Sequence, residues 1–236
     1  MKITGLRCLR FHVATLALMI PFTAQAENVG VENSISSSWF VEGRYQKSIS
    51  ESTGISDNDT AASKIVSGKG EKWDNLDSVG IAIGRTFKHG KLGVSLGYES
   101  FGTVNKSYTN LTQQNGTVIN DIVTPMDITN FMVELSYKIP ISNEVFVMGL
   151  AGVGNATIDS QRYTVGGVID PNSSAREVTN ASSRFGIGIG YQINEKTSII
   201  AVAQKSDYGD AEVLSPTTIS TDVNATEASV RLRLSF

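Results

Sequence analysis

Apolar and polar residues alternate strictly at the C-terminal end of the chain. One set of alternate positions is apolar, and the opposite set carries charges and hydroxyl groups. A period of two places the two sets on opposite faces of a β-strand. Inward-facing charges with an apolar outer face are typical of a strand that lines a barrel in lipid. The apolar set is Ala228, Val230, Leu232 and Leu234, and the opposite set includes Glu227, Arg231 and Arg233.

The same alternation recurs upstream and predicts further strands. With the terminal strand, five clear segments and two less clear ones make eight strands. The faces of the two less clear segments, 144–156 and 197–208, are too uniformly small or apolar to assign as inward or outward. The five clear segments are 39–46, 79–87, 92–99, 130–139 and 185–192.

Long and short connections alternate between these strands. Such an alternation with an even strand count is the arrangement of outer-membrane barrels. It predicts an all-β fold, an eight-stranded antiparallel transmembrane β-barrel with long extracellular loops and short periplasmic turns. The short turns are His89-Gly90, Pro140–Asn143 and Asn194–Lys196, and the long loops are 48–76, 102–126, 157–182 and, shorter than these, 210–221.

Two residue pairs in the loops have the composition of hairpin turns, Asn115-Gly116 and Gly166-Gly167. We expect the segments Tyr163–Val165 and Val168–Asp170 to extend strands five and six above the membrane. A crossing of the membrane by this hairpin, which would give ten strands, is the less favoured alternative because its flanks are short and polar.

The first 26 residues have the features of a cleaved signal peptide. Lys2, Arg7 and Arg10 precede an apolar run, which ends at the small-residue cleavage site Ala24-Gln25-Ala26. We therefore divide the chain into a signal peptide (1–26), a short periplasmic N-terminal tail (27–37) and the transmembrane β-barrel (38–236).

The charge balance is acidic, with 20 Lys and Arg against 23 Asp and Glu. Removing the signal peptide's three basic residues makes the balance more acidic, which argues against a nucleic-acid partner. The single cysteine, Cys8, leaves with the signal peptide, so neither a disulfide nor a thiolate metal site is expected.

The sequence contains little that supports catalysis. Of the two histidines, His12 lies in the signal peptide and His89 in a predicted periplasmic turn, so no Ser–His pair is expected near the outer leaflet. Asp57 and Asp59 have the setting of a solvated turn rather than a calcium loop. Glycines at 186, 188 and 190 share one face and fit the lining of a narrow barrel. We predict no enzyme activity, cofactor or metal.

Aromatic residues cluster in two bands near the strand ends, as expected for girdles at the two membrane interfaces. The periplasmic band comprises Trp39, Phe87, Tyr137, Tyr191 and Phe236, and the outer band comprises Tyr45, Tyr98, Phe131 and Phe185.

The last third of the chain resembles the small outer-membrane β-barrel family of opacity-type surface proteins and OmpA/OmpX-like eight-stranded barrels. The resemblance is in Gly186–Tyr191, Thr197–Ile200, Asp207–Gly209 and Ala228–Phe236. It implies residence in the outer membrane of a Gram-negative bacterium. It also implies a C-terminal assembly signal for the barrel-insertion machinery, made of Phe236, Leu234, Leu232 and Val230.

For function we expect a surface barrel with a structural or adhesive role and a lumen closed by side chains. Its expected partners are outer-membrane lipid and lipopolysaccharide, the insertion machinery during assembly and, as a candidate, a host or cell-surface ligand at the loops. The alternatives left open are a small porin-like channel and, less favoured, a lipid-modifying outer-membrane enzyme.

Inward-facing charges on three strands predict an ion-pair cluster within the lumen. Strand eight descends beside the ascending strand one, so Arg231 and Arg233 are expected at the level of Glu42. Glu134 on strand four is expected at mid-height. An unpaired charge in such an interior is unfavourable, and arginine can bind a carboxylate through two parallel hydrogen bonds. We therefore hypothesise that these four residues pair.

Overall fold

The computed structural model describes residues 38–51, 56–57, 65–74, 76–87, 90–113, 115–119, 121–171, 173–214 and 218–236. The predicted signal peptide 1–26, the predicted tail 27–37, His89 and Asp59 lie outside the described residues.

Thirteen strands make up most of the described chain. The eight that run along the barrel wall, called the long strands, are β1 (Ser38–Glu51), β2 (Ser78–Phe87), β3 (Leu92–Gln113), β4 (Ile122–Pro140), β5 (Val145–Ser160), β6 (Arg176–Gln192), β7 (Thr197–Leu214) and β8 (Thr218–Ser235). The other five lie in the connections and are Ser56–Asp57, Ile65–Asp74, Val118–Ile119, Thr164–Val165 and Val168–Ile169.

The eight long strands form a closed ring. Each is antiparallel to the next in chain order, and β8 closes on β1 with the register Glu42 opposite Arg233 and Arg44 opposite Arg231. Because the ring is closed, no strand edge is left open. A sheet in hydrocarbon needs this closure, since every backbone polar group must be paired there. The predicted eight-stranded antiparallel barrel is confirmed.

Side chains alternate between a buried lumen and an exposed outer surface along each long strand. In β1, Phe40, Glu42 and Arg44 are buried, whereas Trp39 and Tyr45 are exposed. The structure also assigns the two strands whose faces the sequence left open. The inward residues are Phe146, Met148 and Leu150 in β5, and Ser198, Ile200, Val202 and Gln204 in β7.

The strands are longer than the sequence pattern predicts. The connection predicted at 102–126 is wrong for most of its length, because β3 continues to Gln113 and β4 begins at Ile122. The connection predicted at 157–182 is also shorter than expected, because β5 continues to Ser160 and β6 begins at Arg176. β7 and β8 extend in the same way into the connection predicted at 210–221. In these added parts of the strands many of the outward-facing residues are serine, threonine or asparagine, and the inward-facing residues include buried apolar ones. The apolar side chains therefore lie mainly on the inner face, which is the reverse of the pattern in the membrane. A crossing strand needs about 9–11 residues, so the upper barrel projects beyond the membrane.

The hairpin around Gly166-Gly167 does not extend strands five and six. Its strands Thr164–Val165 and Val168–Ile169 pair with each other, and the first pairs with Ile122 and Val123 of β4. Both glycines have a positive φ, 56° and 81°, which suits a tight turn. The ten-strand alternative is therefore wrong.

The connection between β1 and β2 builds part of the upper wall. Its strand Ile65–Asp74 pairs with the outer part of β3, on the side that β2 occupies lower down. Trp73 and Leu76 from this connection are buried in the interior. In the part of the chain that the structure describes, no helix is long and apolar enough to cross a membrane.

Candidate functional site: the charged layer of the lumen

The interface between β1 and β8 brings four charged side chains into the lumen. Glu42 lies opposite Arg233, and Arg44 lies opposite Arg231. The side chains of all four are less than one tenth exposed. Two arginines directly opposite each other repel, so this register requires carboxylates beside them.

Glu42 supplies one of these carboxylates. Its Oε2 accepts a hydrogen bond from Nε of Arg233 at 2.8 Å and lies 2.7 Å from Nη2 of the same residue. Its Oε1 accepts from Nε of Arg44 at 2.7 Å and from Nη1 of Arg231 at 3.4 Å. Glu42 therefore binds three guanidinium groups, two from β8 and one from its own strand.

Glu134 reaches the same arginines from β4, across the lumen. Arg231 donates to both of its oxygens, from Nη1 at 2.6 Å and from Nη2 at 3.2 Å. Arg44 donates from Nη2 to Oε1 at 3.1 Å. Because one carboxylate binds both guanidinium groups, it offsets the repulsion between the two arginines. The structure thus brings together Glu42, Glu134, Arg231 and Arg233, and their stabilising role stays a prediction.

A second ion pair lies nearer the outer membrane face. Arg184 donates to both oxygens of Glu99, from Nη1 at 2.5 Å and from Nη2 at 2.7 Å. Asn130 donates to the same carboxylate at 3.2 Å, and Arg44 lies 3.5 Å from it. Arg44 therefore links the two ion pairs into one network.

Sequence reasoning did not include Arg44 or Arg184 in the cluster. Arg44 lies within the predicted strand 39–46 and has the same parity as the inward-facing Glu42. Arg184 immediately precedes the predicted strand 185–192 and has the parity of the inward glycines. Extending the alternation by one residue would have placed it in the lumen.

Neutral donors hold the remaining buried carboxylate, Glu227. Gln204, Ser206 and Tyr208 donate to it at 2.8, 2.7 and 2.8 Å. Gln204 also donates to Gln46 of β1. A carboxylate that accepts several hydrogen bonds can remain charged away from water.

The charged layer, as we call these eight residues, contains equal numbers of the two signs among the described residues. Its arginines are Arg44, Arg184, Arg231 and Arg233, and its glutamates are Glu42, Glu99, Glu134 and Glu227. Burying unpaired charges is strongly unfavourable, whereas balanced and hydrogen-bonded charges are tolerated.

An apolar layer fills the barrel above the charged layer. Its members come from five of the long strands and from the connections, and they include Trp73, Tyr108, Met126, Ile158 and Val223. Burial raises the pKa of the Tyr108 hydroxyl well above its ordinary value, as expected for a group shielded from water. The side chains of this layer are almost fully buried in the interior of the upper barrel.

Apolar side chains also fill the periplasmic end. Phe146, Met148 and Leu150 of β5 pack with Ile200 and Val202 of β7. The intervening strand β6 permits this contact because it presents glycines. At Gly190, an added methyl group would overlap the ring of Phe146.

Two cations lie against aromatic rings at this end of the lumen. The guanidinium carbon of Arg233 is 4.1 Å from the ring centre of Phe40. The amino group of Lys138 is 3.8 Å from the ring centre of Phe146 and donates to Gln192 at 3.2 Å. Within about 6 Å, such contacts between a cation and a ring are attractive. These contacts lie at the periplasmic side of the charged layer.

The outer surface bears the residues of the predicted assembly signal. Phe236, Leu234, Leu232 and Val230 are 68, 48, 48 and 50% exposed and face outward. Backbone hydrogen bonds of 3.2 and 2.9 Å join Phe236 to Trp39 at the start of β1. Recognition by the insertion machinery stays a prediction.

Within the described ranges, no group of three or more histidine, cysteine, aspartate or glutamate residues could hold a metal ion. Within the charged layer, the four arginines bind Glu42, Glu99 and Glu134, and Glu227 accepts hydrogen bonds from neutral side chains.

A closed antiparallel ring with an apolar outer face and a filled, charged interior defines a small transmembrane β-barrel. The family model for the outer membrane protein β-barrel domain matches residues 61–236, and the chain belongs to this family. The protein is therefore an outer-membrane β-barrel of the type found in Gram-negative bacteria.

Two solved structures have the same fold. Neisserial surface protein A (NspA) is 14% identical, with a TM-score of 0.50 over 85% of this chain and 99% of that chain. OprG of Pseudomonas aeruginosa is 15% identical, with a TM-score of 0.53 over 88% of this chain and 99% of that chain. At these identities the likeness concerns the fold alone. No curated protein matches the chain in sequence.

The network predicts strong coupling between Glu134 and Arg231. Glu134→Gln and Arg231→Gln should each lower the free energy of unfolding by about 3–5 kcal/mol, because each leaves a buried charge without its partner. The double variant should lose clearly less than the sum of the two. Urea unfolding of the protein in vesicles, followed by tryptophan fluorescence, measures these values.

A matched control is the exposed ion pair between Arg176 and Glu212, whose Nη2 and Oε2 atoms lie 2.7 Å apart. Arg176→Gln should cost at most about 1 kcal/mol, because solvent screens this pair. Additive losses at Glu134 and Arg231, or single losses no larger than that of the control, would contradict the coupling.

Proposed function

We propose that this protein is a surface barrel that acts through its extracellular part, in a structural or adhesive role, and that it is neither a channel nor an enzyme. The observation that carries this proposal is the filled lumen. The charged layer lies between two apolar layers, and an eight-stranded barrel is narrow enough for side chains to close.

The projecting upper barrel supports a role in contact with other molecules. Val118 lies on the connection between β3 and β4, and Val168 and Ile169 lie on the hairpin that pairs with β4. They are 53, 71 and 56% exposed. These two connections meet the outer end of β4, so their apolar side chains lie on one side of the outer rim. Such exposed apolar groups suit contact with a partner surface.

The closed lumen predicts weak conduction. Protein reconstituted into a planar lipid bilayer should show no conductance, or only small and flickering events, because ions would have to displace the paired charges of the layer. Single-channel recording measures this. Large, steady openings at low voltage would contradict the closed lumen and favour the porin-like alternative.

An adhesive role predicts that the exposed apolar side chains matter for attachment. Cells that display the Val168→Asn, Ile169→Asn variant should attach less than cells with the unchanged protein to at least one member of a panel of immobilised glycans and matrix proteins. Ser142→Ala, in a periplasmic turn, is the matched control and should attach normally. The adhesive role fails if cells with the unchanged protein attach no better than cells that lack it.

A further inference from the structure

The lipid-facing surface of the described strands has one arginine near its periplasmic end, Arg85 of β2. Outward positions between it and the outer aromatic band are apolar or small, and Lys205 of β7 lies at that outer band, opposite Phe185. Above it on the same strand, Val79, Ile81 and Ile83 are 62, 59 and 50% exposed. An apolar column therefore leads down to a single arginine.

Two rings of the periplasmic band flank this arginine. The guanidinium carbon of Arg85 lies 5.7 Å from the ring centre of Trp39 and 5.5 Å from that of Phe87. Its cross-strand neighbours are Trp39 on β1 and Val94 on β3. Both ring distances are within the range of cation–π attraction, so the rings hold the guanidinium at the level of this band.

The level of Arg85 determines which chemical groups it meets. An arginine on the lipid face is strongly unfavourable at the bilayer midplane and nearly neutral at an interface. Aromatic bands mark the height of the lipid headgroups. The anionic group at that height in a glycerophospholipid is its phosphate, and the planar guanidinium can bind two phosphate oxygens at once.

We propose that Arg85, Trp39 and Phe87 form a binding site for the phosphate of one glycerophospholipid in the periplasmic leaflet. The acyl chain lies along Ile83 and Ile81, and the phosphate binds the guanidinium between the two rings. This lipid sits beside the closure of the barrel, because the backbone of Trp39 is hydrogen-bonded to Phe236.

Solid-state NMR tests the contact directly. The full mature chain, with ¹⁵N-labelled arginine and ¹³C-labelled tryptophan, is reconstituted into dioleoylphosphatidylglycerol vesicles in phosphate-free buffer. One guanidinium signal should be dephased by both lipid ³¹P and a tryptophan ring. The chain has two tryptophans, and the cation over the other one, Trp73, is Lys106, so this double contact identifies Arg85.

Variants then assign the signal. Arg85→Gln should abolish it, whereas Arg162→Gln, at an exposed position in an extracellular connection, should leave it unchanged. If Arg85→Gln does not fold, the double contact in the unchanged protein decides the question alone.

Three results would overturn the proposal. The first is a tryptophan-contacting guanidinium without ³¹P dephasing, and the second is a signal that persists in Arg85→Gln. The third is the same dephasing in dodecyl maltoside micelles with inorganic phosphate and no lipid, equal in extent to that in vesicles. That result would assign the site to free phosphate instead of a lipid headgroup.

Discussion

The pairing of buried charges in the charged layer is the constraint on which the rest of the structure depends. Arg44 and Arg231 lie opposite each other where β8 closes on β1, and this closure is tolerable because Glu42 and Glu134 each bind both arginines. Removing one member leaves a buried charge without its partner, which is far more unfavourable than an unpaired charge at a surface. The same contacts thus join the two strands that close the ring and occupy the lumen beside them.

The narrow ring makes small residues as important as charged ones. At Gly84 and Gly190, an added methyl group would overlap the rings of Phe40 and Phe146. These rings fill the periplasmic end and also lie against Arg233 and Lys138. Glycines on the inward face therefore give large side chains room to cross a lumen of eight strands.

Period-two alternation was sufficient to predict the strand number, the antiparallel ring and the inward position of Glu42, Glu134, Arg231 and Arg233. It did not predict where the strands end. In the upper barrel most of the outward-facing residues are polar, so the composition of these segments is that of a loop. It also did not predict that Arg44 joins two ion pairs, or that Glu227 is held by neutral donors. Those contacts depend on the register between neighbouring strands. The alternation of residues within a single strand carries no information about that register.

Hydrogen exchange of the arginine Nε–H groups tests most directly whether the charged layer is dry and fixed. In the lumen, Nε–H donates to Glu42 from Arg44 and Arg233, and to Ser206 from Arg184, at 2.7 to 2.9 Å. In ¹⁵N-resolved NMR of the protein in lipid at neutral pH, these signals should persist long after transfer to D₂O. The signals of the exposed Arg162 and Arg176 should vanish at once. Equal, rapid loss from all of these arginines would show that water fills the lumen and would contradict the account.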